Sequence, residues 1–310
     1  MDKRKKFLHI TALGDQRIEE AFSTPKTSDW SVNEALKKSN LYKNRYSNVF
    51  PYDKTRVRLP VEKGSEDYIN ASYVTLDQNE YIAAQGPLTD TIHHFWAMAY
   101  NESEKQNNDT VVIAMVTPLT ESGIVKCTQY WPDKTQTSFD LSENILEDRI
   151  SIPGGSLKVE YVQESYNAVG DYLLTELLLK SDTKVKKVYH YYYFKWADAK
   201  VPPSLSPLVC LSKEIRSVSS KVENKEKGIQ RPTPIVHCSA GVGRTGTFIA
   251  IDHIFNDDTL AEAHKNPQED PVFQTVLRLR NCRMMMVQTL YQYDFLYESA
   301  EKWYRQQLTQ

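Results

Sequence analysis

The chain has 310 residues, a length that admits one large domain or two ordinary ones. A single domain of that size buries roughly 75% of its unfolded surface, so no disulfide or metal staple is required for stability. Lys plus Arg number 38 against 40 Asp plus Glu, a net charge of -2. That argues against non-specific binding to nucleic acid or an anionic membrane, while leaving room for a small basic pocket. Cysteines at 127, 210, 238 and 282 form no C-x-x-C pair, so neither a zinc site nor a dithiol redox motif is suggested. They read as individual thiols in a reducing compartment. The basic start, Met1 to Lys6, is followed by only a short apolar stretch, and the longest strongly apolar run, Val111 to Val116, is six residues. Both fall short of a leader or a membrane span. The expectation is a cytoplasmic protein, with nuclear access through the basic start.

In chain order, residues 1–40 read as helical and polar. Thr110 to Thr117 is continuously apolar and β-branched and stops at Pro118, which suits a central buried strand. Leu157 to Val162 and Tyr172 to Leu179 flank Gly170-Asp171 and read as an antiparallel pair. Val188 to Trp196 is an aromatic strand, and Pro234 to His237 a short one. Phe248, Ile251 and Phe255, and later Leu296, Ala300 and Trp303, recur at helical spacing. Strands interleaved with helices imply an α/β (α+β) single domain: a twisted mixed sheet covered on both faces. Asp133 to Arg149 and Asn256 to Asp270 read as surface insertions, and Lys221 to Arg231 as a charged connector. His93 and His94 are adjacent in a helix-like run. Neighbours on a helix do not face each other, which predicts surface or helix-end histidines and no shared metal.

The segment with chemistry is PIVHCSAGVGRTGTFIAIDHI, Pro234 to Ile254, read as strand, loop and helix. A tight loop at a helix N-terminus aims backbone N–H groups and the helix dipole at one point, which makes an anion site. Ser239, Ala240, Gly241, Val242 and Gly243 supply that backbone, with glycines where the chain must come close or turn with positive φ. Arg244 adds a planar fork matched to two phosphate oxygens. Cys238 sits in the same positive field, which favours its thiolate. The loop therefore binds a phosphate-sized dianion with a nucleophile beneath it, and the implied reaction is in-line phosphoryl transfer to sulfur. A nucleotide-binding P-loop is excluded, because no Gly-Lys-Ser/Thr follows the glycines.

HCSAGVGRTG resembles the signature of the phosphotyrosine-specific protein tyrosine phosphatases. KNRYSNVFPYD (Lys43 to Asp53), DYINASYV (Asp67 to Val74), YIAAQGPL (Tyr81 to Leu88), ESGIVKCTQYWP (Glu121 to Pro132) and MVQTLYQYDFLY (Met286 to Tyr297) resemble further family motifs in family order. The match spans residues 43–297, so the resemblance implies one catalytic domain over 1–310, which takes in the helical N-terminal segment over 1–40. It is similar to the non-receptor type, and most to small cytosolic enzymes of yeasts.

The resemblance also implies roles. The family's general acid is the Asp of a W-P-D loop. Trp131-Pro132-Asp133 matches that string literally, but it ends the KCTQYWP motif, 105 residues before Cys238. Trp196-Ala197-Asp198-Ala199-Lys200-Val201-Pro202, 40 residues before Cys238, matches the loop itself, with Ala197 for the usual proline. Asp198 is thus the expected acid and then base, on a loop that has lost a rigidifying proline. Gln288 is expected to position water with help from Gln292, and Thr245 to hydrogen-bond the departing thiolate. Glu121 is expected to hold Arg244, and Lys126 to meet the acid loop at Trp196. His237 is expected to support the nucleophile. Tyr46 is expected to wall a cleft deep enough to select phosphotyrosine. Asn48 stands where relatives carry an Asp that anchors the substrate backbone, and Met285 where many carry a glycine beside a secondary groove.

The implied partners are tyrosine-phosphorylated proteins, with no nucleic acid, no membrane insertion, no metal and no cofactor, on a monomer. Two other readings share the signature loop. A phosphotyrosine-binding protein without turnover is favoured only by Ala197. A dual-specificity phosphatase is opposed by Tyr46 and the glutamine loop.

Overall fold

The strand Thr110–Met115 shows how the sheet comes to be covered on both sides. All six of its side chains are buried. Val112, Ala114 and the following Val116 enter one apolar cluster, while Val111, Ile113 and Met115 enter another. The period of two along a strand divides a continuous apolar run between two cores. The computed structural model describes residues 2–256, 260 and 270–307.

Strands are numbered in chain order: β1 Arg56–Arg58, β2 Tyr68–Leu76, β3 Asn79–Ala84, β4 Thr110–Met115, β5 Thr120–Glu121, β6 Ile124–Val125, β7 Ser138–Asp140, β8 Lys158–Asn167, β9 Tyr172–Lys180, β10 Val185–Tyr192 and β11 Ile235–His237. Nine of them form one sheet in the order β1-β2-β3-β11-β4-β10-β9-β8-β7, and β5-β6 is a separate hairpin. The pairs β3–β11, β11–β4 and β4–β10 are parallel, and the outer pairs are antiparallel. The sheet is therefore mixed, with its parallel strands at the centre.

Helices are numbered likewise: α1 Lys3–Ser23, α2 Asn33–Leu36, α3 Ile92–Lys105, α4 Ser142–Glu147, α5 Ser206–Val222, α6 Gly243–Asn256, α7 Pro271–Cys282 and α8 Leu290–Gln307. One face of the sheet packs on α3 through Phe95 to Tyr100 and on α4 through Ile145. The other packs on α1, α5, α6, α7 and α8 through Ile10, Leu211, Ile251, Val276 and Leu296 among others. The start of α7 follows local rules. Asp270 caps it by accepting from the Phe273 N–H at 2.9 Å, and Pro271 opens the first turn. The same carboxylate accepts from Lys6 Nζ and from the Tyr297 hydroxyl, which ties α1 and α8 to that corner.

Several sequence expectations shift. The aromatic strand starts three residues earlier than Val188 and ends at Tyr192, because Tyr193 to Trp196 leave the sheet to enter a loop. Asp133 to Arg149 is no loose insertion. It carries edge strand β7 and helix α4 and buries Leu141 and Ile145. Apart from its ends and Leu260, the segment Asn256 to Asp270 lies outside the described residues. His93 and His94 are both buried, and both rings reach one carboxylate oxygen of Asp148. They lie in the first turn of α3, straight after the 3-10 turn Thr89–Thr91, and Asp148 approaches from the end of α4.

Candidate active site

Strand β11 ends at His237 and α6 begins at Gly243, so Cys238 to Val242 form the loop between a central parallel strand and a helix N-terminus. The loop's curvature has identifiable causes. Gly241 has φ of +73°, and a Cβ there would lie 2.1 Å from the Ala84 carbonyl oxygen, so only glycine fits. Arg283, fully buried, donates from Nε to the Gly241 carbonyl (2.9 Å) and from Nη2 to the Ala240 carbonyl (3.0 Å). Those carbonyls are drawn outward, which turns the loop's N–H groups inward. The Gly241 N–H donates to Cys238 Sγ at 3.2 Å.

Cys238 is buried, and burial alone would raise its pKa. The Arg244 charge, the Thr245 hydroxyl and the Thr245 and Gly241 N–H groups outweigh it, so the thiol's pKa lies below its ordinary value. The buried Thr245 hydroxyl has no partner at hydrogen-bond geometry and lowers the thiol's pKa from beside the sulfur. By contrast, burial first of all pushes the Cys127 thiol up to about 12. His237 supports the loop from behind. Its Nδ1 lies 3.1 Å from the Cys238 carbonyl, and its Nε2 lies 2.7 Å from the Tyr130 hydroxyl, which also meets His190 Nε2 at 2.8 Å.

Arg244 is 1% exposed and reaches the loop that follows β10. It donates from Nη1 to the Trp196 carbonyl at 2.8 Å, and Nη2 lies 3.2 Å from Asp198 Oδ1. Lys126 Nζ meets the other Asp198 oxygen at 2.8 Å. Trp196 is fully buried, and its indole N–H closes the loop on the Lys200 carbonyl at 2.8 Å. Burial would raise the Asp198 pKa, but the Lys126 hydrogen bond and the Arg244 charge lower it overall. Glu121, on hairpin strand β5, reaches Arg244 as expected but binds the acid loop more closely. Its carboxylate accepts from the Asp198 N–H at 2.9 and 3.1 Å, while its approach to Arg244 Nη1 is 3.9 Å. It holds the acid loop first and the arginine only loosely. The literal W-P-D aspartate is elsewhere. Asp133 is taken up by its own turn, accepting from Thr135 and Gln136 N–H groups and from Gln129.

The opposite wall comes from the start of the chain. Ser239 Oγ donates to the Lys126 carbonyl at 2.7 Å, so the 2.8 Å contact between Tyr46 and Ser239 has the Tyr46 hydroxyl as donor. Gln85 accepts from the Arg45 N–H and donates to the Lys43 carbonyl, and Arg45 donates to the Gly86 and Pro87 carbonyls. Asn48 is exposed beside them. From the far side, the side-chain oxygen Gln292 Oε1 accepts from the Gln288 and Thr289 N–H groups at 3.0 and 3.2 Å. A Cβ at Gly243 would touch both glutamine side chains. The preceding Met285 and Val287 have φ of +59° and +56°, and Arg280 holds the stretch by donating to the Met286 and Val287 carbonyls, both at 2.9 Å.

The structure thus brings Cys238, Thr245, Arg244, Asp198, Lys126, Glu121, Trp196, Tyr46, Gln288 and Gln292 to one place and leaves Asp133 outside. Arg283, Arg45, Gln85, Tyr130 and Arg280 were not singled out from the sequence. The signal that could have found them is a set of arginines inside otherwise apolar or motif-bearing segments, since buried arginines need partners.

A cradle built on an arginine fork and helix N-terminus, beside a thiol of depressed pKa and a carboxyl group, is the arrangement of a phosphatase site. The family model described as Protein-tyrosine phosphatase matches residues 40–302. Tyrosine-protein phosphatase 1 of Saccharomyces cerevisiae is 36% identical over 329 residues, covering 96% of this chain and 92% of the relative. Tyrosine-protein phosphatase 1 of Schizosaccharomyces pombe is 33% identical, covering 98% of this chain and 52% of that longer protein. A solved structure of PTPN18 in complex with HER2 phosphopeptides is similar with a TM-score of 0.74 at 26% identity, covering 97% of this chain and 99% of that one. The chain belongs to the protein-tyrosine phosphatase family, and it is similar along nearly its whole length to tyrosine-protein phosphatases of yeasts. No helix among the described residues is long and apolar enough to cross a membrane.

Proposed function

We propose that the chain hydrolyses phosphotyrosine in proteins in two steps through a cysteinyl-phosphate, as one domain over residues 1–310. The carrying observation is the convergence of Cys238 and Arg244, from one strand-loop-helix segment, with Asp198, from the loop after β10, to which Arg244 is bound. In the first step Cys238 Sγ attacks phosphorus, the bond to the phenolic oxygen breaks, and Asp198 gives that oxygen its proton. Arg244 and the loop N–H groups hold the equatorial oxygens as charge shifts among them. In the second, water placed by Gln288 and Gln292 gives its proton to Asp198 as it attacks. The P–S bond breaks, and Thr245 supports the leaving thiolate.

The low Asp198 pKa fits this order of events. In the free site Arg244 and Lys126 hold the carboxylate charged. A phosphate dianion competes for Arg244 and adds negative charge beside Asp198, which raises its proton affinity when an acid is needed. Tyr46, seated on Ser239, supports selection of an aromatic phosphoester by stacking and depth. Asn48 offers a neutral hydrogen bond to the substrate backbone, and half-buried Met285 narrows any secondary groove. The resident substrates on this reading are cytoplasmic tyrosine-phosphorylated proteins met by a monomer, with no metal or cofactor in the chemistry.

The test is a pair of variants. Asp198→Ala should lower kcat on a phosphotyrosyl peptide by about 10²- to 10⁴-fold, with binding retained, whereas Asp133→Ala should stay near the parent rate. The reverse pattern would move the acid to Asp133 and overturn the assignment.

A further inference from the structure

His93, His94 and Asp148 form a second polar cluster, held apart from the signature loop. His93 Nε2 lies 2.6 Å and His94 Nε2 2.7 Å from Asp148 Oδ2. The two rings stand 4.1 Å apart at 50°. The three ligand atoms lie within 4.8 Å of one another. Both imidazoles are buried, with side chains 8% and 2% exposed, while the Asp148 side chain is 40% exposed. The open side of the cluster is a pocket of about 620 Å³ whose walls carry Asp90, Asp140, Glu147 and Asp148. Among the described residues lining it there is no lysine or arginine. Lys43 lies near His94 and disfavours positive charge there, but four carboxylates face the same space.

We propose that this cluster binds one divalent transition-metal ion, through His93 Nε2, His94 Nε2 and the Asp148 carboxylate, with the remaining position open to the pocket. Two imidazoles and one carboxylate suit Zn²⁺ and its neighbours in the first row, and do not suit Mg²⁺ or Ca²⁺. Metal–ligand bonds of about 2.0–2.2 Å require ligand atoms roughly 3.3 Å apart in a tetrahedron. The present N···O separations are shorter than that, while the two Nε2 atoms stand up to 4.8 Å apart, so the ion needs Asp148 to draw back and the imidazoles to turn toward each other. The exposed Asp148 supplies the first movement and ring rotation the second. On binding, the two Nε2 protons that now point at Asp148 are displaced, each to Nδ1 or to solvent. His94 Nδ1 has no hydrogen-bond partner. A ligating histidine without an outer partner loses about 10- to 100-fold in affinity, which puts the expected dissociation constant in the micromolar range. The ion would join the end of α4 to the first turn of α3. It takes no part in phosphoryl transfer.

Calorimetric titration of Zn²⁺ into the full chain carrying Cys238→Ser, which removes the competing thiolate, tests the site. One equivalent should bind. Asp148→Asn and His93→Gln should each weaken it by about ten-fold or more, and excess Mg²⁺ should not compete. Co²⁺ should give the visible absorption of a four-coordinate ion, lost in the same variants. The two substitutions placed in the parent chain should leave turnover in chelator unchanged, which reports intact folding. Absence of binding at sub-millimolar Zn²⁺, or equal binding by both variants, would overturn the proposal.

Discussion

At the scale of single residues, the site works through charges that change one another's proton affinity. Arg244 favours both the Cys238 thiolate and the Asp198 carboxylate, yet the proposed first step needs the first ionised and the second protonated. Activity on an aryl phosphate should therefore fall on the alkaline side as Asp198 loses its proton in the complex, and rise on the acid side as the thiolate forms. Asp198→Asn should erase the alkaline limb of the kcat profile and leave the acid limb in place; a retained alkaline limb would assign it to another group. Cys238, Arg244 and Thr245 were legible in the sequence because they lie within eight contiguous residues, loop and first helical turn together; Asp198, 40 residues away, was legible only through the motif resemblance. Arg283 was not legible. Its partners Ser72, Asn70 and Gly241 come from distant segments, and nothing local marks it. The same holds for His93 and His94. A rule about helix neighbours fails where the helix has just begun and a third residue, Asp148, arrives from another element.

At the scale of elements, strain is concentrated where the glutamines are presented. Val287 is β-branched with positive φ, a conformation that costs about 1–2 kcal/mol. The Cβ-less Gly246 lets its backbone come within 2.6 Å of where a side chain would stand. Two hydrogen bonds from Arg280 offset that cost, each worth about 1.5–3 kcal/mol when the donor is charged. Arg280→Met should relax the Met285 to Val287 stretch and withdraw Gln288. In rapid mixing with an aryl phosphate, the burst of phenol should survive while the steady-state rate falls about ten-fold. Equal loss of both phases would show that Arg280 serves the first step or the fold alone. The strands were legible to the extent that their burial is regular. β4 is buried at every position. The outer half of β8, Gln163 to Tyr166, is exposed and gave no apolar alternation to read. The end of β10 differs from the sequence reading because Tyr193, Phe194 and Trp196 continue the aromatic run after leaving the sheet. Trp196 is buried under the acid loop.

At the scale of the whole molecule, the buried histidines behind the signature loop set a limit on acid tolerance. Burial, above all, pushes the His237 pKa down to about 4, and pushes His190 well below its ordinary value. The unfolded chain takes up protons at these sites near pH 6.5 while the native chain does not. Stability is therefore full above that pH and declines as pH falls toward 4. For His237 alone, the loss between pH 7 and pH 5 is on the order of 2 kcal/mol. The urea midpoint should drop over that interval, and less so in His237→Gln. An equal drop in the variant would place the acid sensitivity elsewhere.

The account as a whole rests on phosphate passing through Cys238. Acid quench of the enzyme during turnover of a ³²P-labelled phosphotyrosyl peptide, followed by mapping of the label, reads that directly. Label should appear on the peptide containing Cys238, accumulate further in Gln288→Ala, and be absent from Cys238→Ser, which should not turn over. Turnover by Cys238→Ser, or label on any other residue with Cys238 unlabelled, would contradict it.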